Sequence, residues 1–150
     1  MVFPLPQTAL FAPARILIVE DEGIIAAHIA SRLRGIGYEV VGIAESSEQA
    51  LCETLNLQPD LILMDIRIKG ALDGIETAAK LQEFCDIPII YLTAHSDRET
   101  IDRAKTTRVF GFLTKPIHQA ALAAGIEVAI RKHRGGRAAL QFIDDQSCQS

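Results

Sequence analysis

Short apolar runs in this chain end repeatedly in side chains suited to handling phosphate or a cation. Leu61-Ile62-Leu63-Met64 leads into Asp65, Ile16-Leu17-Ile18-Val19 into Glu20-Asp21-Glu22, and Pro88-Ile89-Ile90-Tyr91-Leu92 into Thr93. A fourth run, Val109 to Leu113, is followed by Thr114-Lys115-Pro116. Carboxylates gathered in one place repel one another, and such clusters raise a pKa or hold a cation. A hard, oxygen-seeking ion such as Mg2+ suits Glu20, Asp21 and Asp65, since it binds through one or two carboxylates and completes its shell with water and phosphate. One metal, one hydroxyl, one lysine and one carboxylate make a phosphoryl-transfer set, with Asp65 as nucleophile and the rest neutralising charge. Taken alone, Asp65 is equally well a helix cap or a turn aspartate. The reading depends on whether the chain gathers these residues.

The intervening segments supply the means. Apolar runs of this length read as strands buried on both faces, the parallel-sheet pattern. Glu39 to Ala44 adds a weaker strand centred on Val40-Val41. Between the strands lie helical segments. Gly23 to Gly35 spaces Ile25, Ile29 and Leu33 by four and carries Arg32 and Arg34 at its C-terminal end, where the macrodipole favours them. Ser46-x-x-Gln49 opens a helix to about Leu57, Asp73-Gly74-Ile75-Glu76 one to about Phe84, and Ser96-x-x-Glu99 one from about Asp97 to Thr106. The last begins at Ile117 and runs to Arg131 or beyond, with Leu122, Ile126 and Ile130 on one face. Strict alternation predicts an α/β domain: one doubly wound, five-stranded parallel sheet with five helices and right-handed crossovers. In the flavodoxin-like order 2-1-3-4-5 the switch point falls between strands 1 and 3, which brings Glu20 and Asp21 beside Asp65. The expected division is a flexible extension over 1–13, the domain over 14–134, and a tail or the start of a linker over 135–150.

Composition excludes several classes. A net charge of −4 argues against nucleic acid as a direct partner, because phosphate-backbone binding needs a positive field. No apolar stretch approaches the ~20 residues of a membrane span. Met1 to Pro13 lacks a positive charge ahead of an apolar run and is not read as a signal peptide. Cys52, Cys85 and Cys148 are far apart with no metal-binding spacing, which fits a reducing cytoplasm.

The matching stretches Ile16 to Asp21, Leu61 to Asp65 with Asp73-Gly74, Leu92-Thr93-Ala94 and Phe110 to Pro116 resemble the receiver domain of two-component response regulators, similar to the chemotaxis regulator. The resemblance covers about Arg15 to Arg134 and implies a role for each matched position. Asp65 would accept a phosphoryl group from a sensor histidine kinase or histidine phosphotransfer protein. Asp21 would bind Mg2+ directly, Glu20 largely through water, and Arg67 by its backbone carbonyl. Thr93 and Lys115 would grip phosphoryl oxygens, with a cis Lys115-Pro116 bond. Thr93 and Phe112 would form the switch, changing the face made by the fourth helix, fifth strand and fifth helix for a downstream protein or a second copy. Such a domain is a signalling switch and not an enzyme acting on a metabolite.

Three departures from the family pattern stand out. Ile66 to Leu72 is seven residues with Lys69-Gly70 and no proline, one longer than usual; Glu20 replaces the commoner aspartate; Phe112 replaces the frequent tyrosine. An aspartyl-nucleophile phosphohydrolase is the rival enzyme class, but Asp65-Ile66-Arg67 lacks its D-x-D pattern. A non-phosphorylated binding module is the other rival, and it would be expected to lose at least one of the five site residues. The blander readings apply elsewhere: Lys69, Arg98, Arg103, Arg108 and the four histidines as solvated surface, and Arg131 to Arg137 as the basic end of a helix.

Overall fold

The structure, a computed structural model, describes residues 12–94 and 98–149, with side chains described through Gly136. Among these residues five strands alternate with five helices. The elements are β1 (Arg15–Val19), α1 (Gly23–Gly35), β2 (Glu39–Ala44), α2 (Ser47–Leu57), β3 (Leu61–Asp65), α3 (Gly74–Gln82), β4 (Ile89–Thr93), α4 (Arg98–Ala104), β5 (Gly111–Thr114) and α5 (Gln119–Gln149). The sheet is parallel in the order β2-β1-β3-β4-β5, the flavodoxin-like arrangement.

The uninterrupted apolar runs serve two cores at once. Alternate side chains of a strand point to opposite faces. Accordingly Ile16, Ile18, Leu61, Leu63, Ile90 and Leu92 pack with Ile29 and Leu33 of α1 and Leu122 and Ile126 of α5. Leu17, Val19, Ile62, Met64, Ile89 and Tyr91 pack on the other face with Ala50, Ile75, Ala78, Leu81 and Ala104 of α2, α3 and α4. No helix among the described residues is long and apolar enough to cross a membrane.

Local signals set most boundaries. Ser46 caps α2 by accepting from the Gln49 amide at 3.2 Å, while the Gln49 side chain accepts from Glu45 N–H at 2.9 Å, so the expected reciprocal bond is displaced by one residue. Asp73 and Glu76 close a complete capping box on α3. Several ends differ from the sequence reading. The edge strand β5 begins at Gly111, not Val109, and α3 stops at Gln82. The helix α5 also continues through Gly135-Gly136 to Gln149. A helical glycine costs only about 1 kcal/mol relative to alanine, and two of them need not end a helix. The expected cap Ser96, most of the extension over 1–13, and Ser150 lie outside the described residues.

Candidate functional site

The site forms where β1 and β3 leave the sheet side by side. Val19 pairs with Met64 at the end of the β1–β3 ladder, so the next residues in line are Glu20 and Asp65, and on its other side Glu20 N–H donates to the Ala44 carbonyl of β2 at 2.9 Å. Their side chains are almost fully buried, at 0% and 6% exposure. Gly74 lies against the Asp65 backbone so closely that a Cβ there would sit 2.0 Å from the Asp65 carbonyl oxygen, and its N–H donates to the Ile66 carbonyl at 2.7 Å. Only glycine permits that approach, which fixes the backbone leaving β3.

Glu20, Asp21 and Asp65 each offer a carboxylate oxygen, and these atoms lie within 4.8 Å of one another. An all-carboxylate donor set is what a hard divalent cation takes, so the chemistry of these residues fits Mg2+. Lys115 reaches the same place from the far side of the sheet, its Nζ 2.6 Å from Glu20 Oε1 and 2.9 Å from Asp65 Oδ2. Burial, reinforced by the neighbouring Asp65 carboxylate, pushes Glu20 up from 4.5 to about 7 despite the lysine. Burial works against the charge on Lys115, but its hydrogen bonds to Asp65 and Glu20 outweigh that and its pKa is raised. The cluster is charge-balanced only in part, which is the electrostatic condition under which a further cation binds.

Thr93 ends β4 at 8% exposure, beside Thr114 in the β5 ladder, and its carbonyl accepts from Lys115 N–H at 2.8 Å. The Lys115-Pro116 peptide is cis. Arg67 N–H donates to Asp65 Oδ1 at 3.3 Å. Asp65, Arg67, Thr93 and Lys115 thus line one cavity of about 300 Å³ together with Glu22 and Thr100. Glu22 belongs to the acidic run visible in the sequence, whereas Thr100 carried no signal, being one hydroxyl in a short polar helix.

Phe112 lies apart from this cavity. It is half-buried on β5, stacked on Tyr91 with ring centroids 5.8 Å apart, and the Tyr91 hydroxyl hydrogen-bonds the Thr107 hydroxyl at 2.7 Å. Tyr91 is fully buried and was visible in the sequence only as an apolar strand residue. His95 lies outside the described residues. His133 departs from the surface reading: its ring packs edge-on to Phe110 and contacts the Asp86 carbonyl at 2.9 Å. Arg103 and Arg108 are exposed as expected, each in an ion pair, with Asp73 and Asp86 respectively.

The model of the response regulator receiver domain matches residues 16–127. This chain belongs to that family. Among similar proteins, the transcriptional regulatory protein PdtaR of Mycobacterium tuberculosis is 34% identical over 134 residues, covering 89% of this chain and 65% of that protein. The KDP operon transcriptional regulatory protein KdpE of Escherichia coli is 34% identical over 118 residues, covering 79% of this chain and 52% of that protein. The receiver therefore spans about half to two thirds of the length of these relatives. Among solved structures, the signal receiver domain of a modulated diguanylate cyclase from Desulfovibrio desulfuricans G20 superposes with a TM-score of 0.77 at 43% identity, covering 81% of this chain and 97% of that one.

Proposed function

We propose that this receiver takes a phosphoryl group onto Asp65 from the phosphohistidine of a sensor kinase or phosphotransfer protein and signals through the surface formed by α4, β5 and α5. The observation that carries the reading is the convergence of Glu20, Asp21 and Asp65 carboxylates within 4.8 Å, with the Lys115 ammonium 2.9 Å from Asp65. In the transfer an Asp65 oxygen forms a bond to phosphorus as the phosphorus–nitrogen bond breaks, and the imidazole leaves with that electron pair. Lys115 holds one phosphoryl oxygen by charge and the Thr93 hydroxyl holds another by a hydrogen bond, so both act where negative charge gathers. Glu20 and Asp21, with Asp65 and the Arg67 carbonyl, would hold Mg2+, which when bound neutralises phosphoryl charge and orients the group for in-line attack.

The exclusion of water is only partial in a cavity open to solvent, and slow loss of the phosphoryl group follows. Thr93, drawn toward the phosphoryl oxygen, vacates space behind β4. Phe112 on the neighbouring strand is the bulky group able to move into it, and the bistable element is then the surface of α4, β5 and α5. A downstream protein or a second copy of the chain reads that surface, and this part of the protein makes no direct contact with nucleic acid. Function as a switch, without turnover of a metabolite, accords with the absence of a D-x-D pattern after Asp65.

The test is incubation with acetyl phosphate and Mg2+, followed by peptide mass spectrometry. One phosphoryl group located on Asp65, absent from Asp65→Asn, is the expected result. No uptake by a folded protein would favour a binding module, and sustained hydrolysis of small phosphate esters would favour a phosphohydrolase.

A further inference from the structure

The loop that carries Arg67 away from Asp65 is one residue longer than its resemblance implies, and the structure shows what takes up the slack. Both ends are fixed, at Asp65 in β3 and at Gly74, whose N–H is bound to the Ile66 carbonyl. The middle is strapped to the first turn of α2. Ser47 N–H donates to the Lys69 carbonyl at 2.9 Å, and Ser46 and Lys69 form a parallel bridge. The Ala71 N–H donates to Glu48 Oε1 at 2.9 Å, and the Leu72 N–H to Ser47 Oγ at 3.3 Å. Ser47 Oγ in turn donates to Glu48 Oε2 at 3.1 Å. Gly70 makes the approach possible: its φ is +111°, and a Cβ there would lie 2.3 Å from Ser47 Oγ and 2.9 Å from Ser47 N.

These contacts are directional in a way that simple loop packing is not. Ser47 is 1% exposed, so its hydroxyl is a buried polar group committed to the loop amide and to Glu48. Hydrogen bonding to the Ala71 amide and the Ser47 hydroxyl holds the exposed Glu48 carboxylate below its usual range. Two residues upstream of the strapped segment, Arg67 N–H touches Asp65 Oδ1. Whatever fixes residues 69–72 therefore fixes the direction in which the Arg67 peptide faces.

We propose that Ser47 and Glu48 are positioning residues for the phosphoryl-acceptor site: by holding the backbone of residues 69–72 against α2 they aim the Arg67 carbonyl at the cation. This rests on the metal-assisted reading above and adds to it a pair of groups that touch neither metal nor phosphate. Groups that orient metal ligands without binding the metal cost roughly 10- to 100-fold in metal affinity when lost. The low end applies here, since the loop supplies one ligand of several.

The experiment compares the full chain with Glu48→Ala, Glu48→Gln, Ser47→Ala, Gly70→Ala and, as a control, Asp21→Ala. Mg2+ affinity is measured without phosphodonor from the chemical shift of the Arg67 amide, and the Mg2+ dependence of phosphorylation by acetyl phosphate is measured separately. Glu48→Ala and Gly70→Ala should weaken Mg2+ binding about tenfold and raise the half-saturating Mg2+ by the same factor, with the rate at saturating Mg2+ nearly unchanged. Glu48→Gln, which keeps the acceptor oxygen, should restore the parent values. If Glu48→Ala speeds amide exchange at Ala71 and Leu72 yet leaves Mg2+ affinity unchanged, the strap is only structural and the proposal is overturned. If Asp21→Ala also binds Mg2+ as the parent does, the metal reading itself has failed. Should Gly70→Ala not fold, the contrast between Glu48→Ala and Glu48→Gln decides alone.

Discussion

The two sides of the sheet that meet at the acceptor site are built to different standards. On the β1–β3 side every residue of β3 is buried, β1 is buried from Ile16 to Val19, and Gly74 is wedged against the Asp65 backbone. Toward the β5 edge β4 is still buried along its length, but α4 is seven residues long with Ala104 as its one buried residue, and β5 has four residues of which Leu113 alone is buried. Its contacts include the Tyr91–Thr107 hydroxyl pair, the exposed Arg103–Asp73 ion pair and the Tyr91–Phe112 stack. Close packing transmits strain and resists rearrangement, whereas elements with little buried apolar surface open at low free energy. The difference teaches where chemistry and readout can live. Acids and cation need a frame that does not move, and a signal needs one that does.

The sharpest break of this comparison is on the rigid side. Asp21→Ala removes one of three clustered carboxylates, and we expect it to abolish Mg2+-dependent phosphorylation by acetyl phosphate while leaving thermal unfolding unchanged or raised. Equal phosphorylation of the parent protein with and without Mg2+ would contradict it. Next in size, Leu63→Ala should cost between about 2 and 5 kcal/mol in denaturant unfolding, because Leu63 is 0% exposed and central to one core. Ile101→Ala, on α4 and only half-buried, should cost a small fraction of that. Similar losses at the two positions would erase the contrast.

Tyr91→Phe removes the hydroxyl bond to Thr107 and keeps the ring stack, so we expect a loss of about 1 kcal/mol and faster amide exchange at the C-terminal end of α4. A further effect is in the pH profile of the metal-free protein. Glu20 titrates at about 7 when folded against 4.5 ordinarily, so between those values the folded state binds the proton that the unfolded chain has released. Stability should therefore fall as pH rises from 4.5 to about 7 and level off above, and Glu20→Gln should flatten that slope. The raised pKa of Lys115 acts at the alkaline end, where its stabilisation is lost as pH climbs through the folded value. A profile unaltered by Glu20→Gln would place the titration elsewhere.

What the sequence made legible divides along the same line. β3 ends at Asp65 as expected because an unbroken apolar run meets a charge, and α3 begins at Gly74 because Asp73 and Glu76 announce a capping box. Glu20, Asp21, Asp65, Thr93 and Lys115 each end or follow a strand at the same edge of the sheet, and that topology brings them to one place. The β4–β5 side was harder. β5 has a half-exposed pattern with no clear first residue, and the placement of Tyr91 against Thr107 joins residues sixteen apart. The loop strap was invisible for the same reason: Ala71 meets Glu48 and Leu72 meets Ser47 across 23 and 25 residues. No local pattern marks a hydrogen bond between a loop amide and the start of a distant helix. His133 looked like surface because nothing in the last helix announces that Phe110 and the Asp86 carbonyl wait for it.

The most direct test of the central claim, that a rigid acceptor site drives a separate and softer readout surface, is amide hydrogen exchange with and without beryllium fluoride and Mg2+ as a phosphoryl mimic. A bound ligand shifts an equilibrium only by its differential affinity for the two states, so a responsive element must already have two arrangements. The account predicts that exchange changes across α4, β5 and the first turns of α5 exceed those across α1 and α2. Changes confined to the loops around Asp65, with α4 and β5 unaltered, would contradict it.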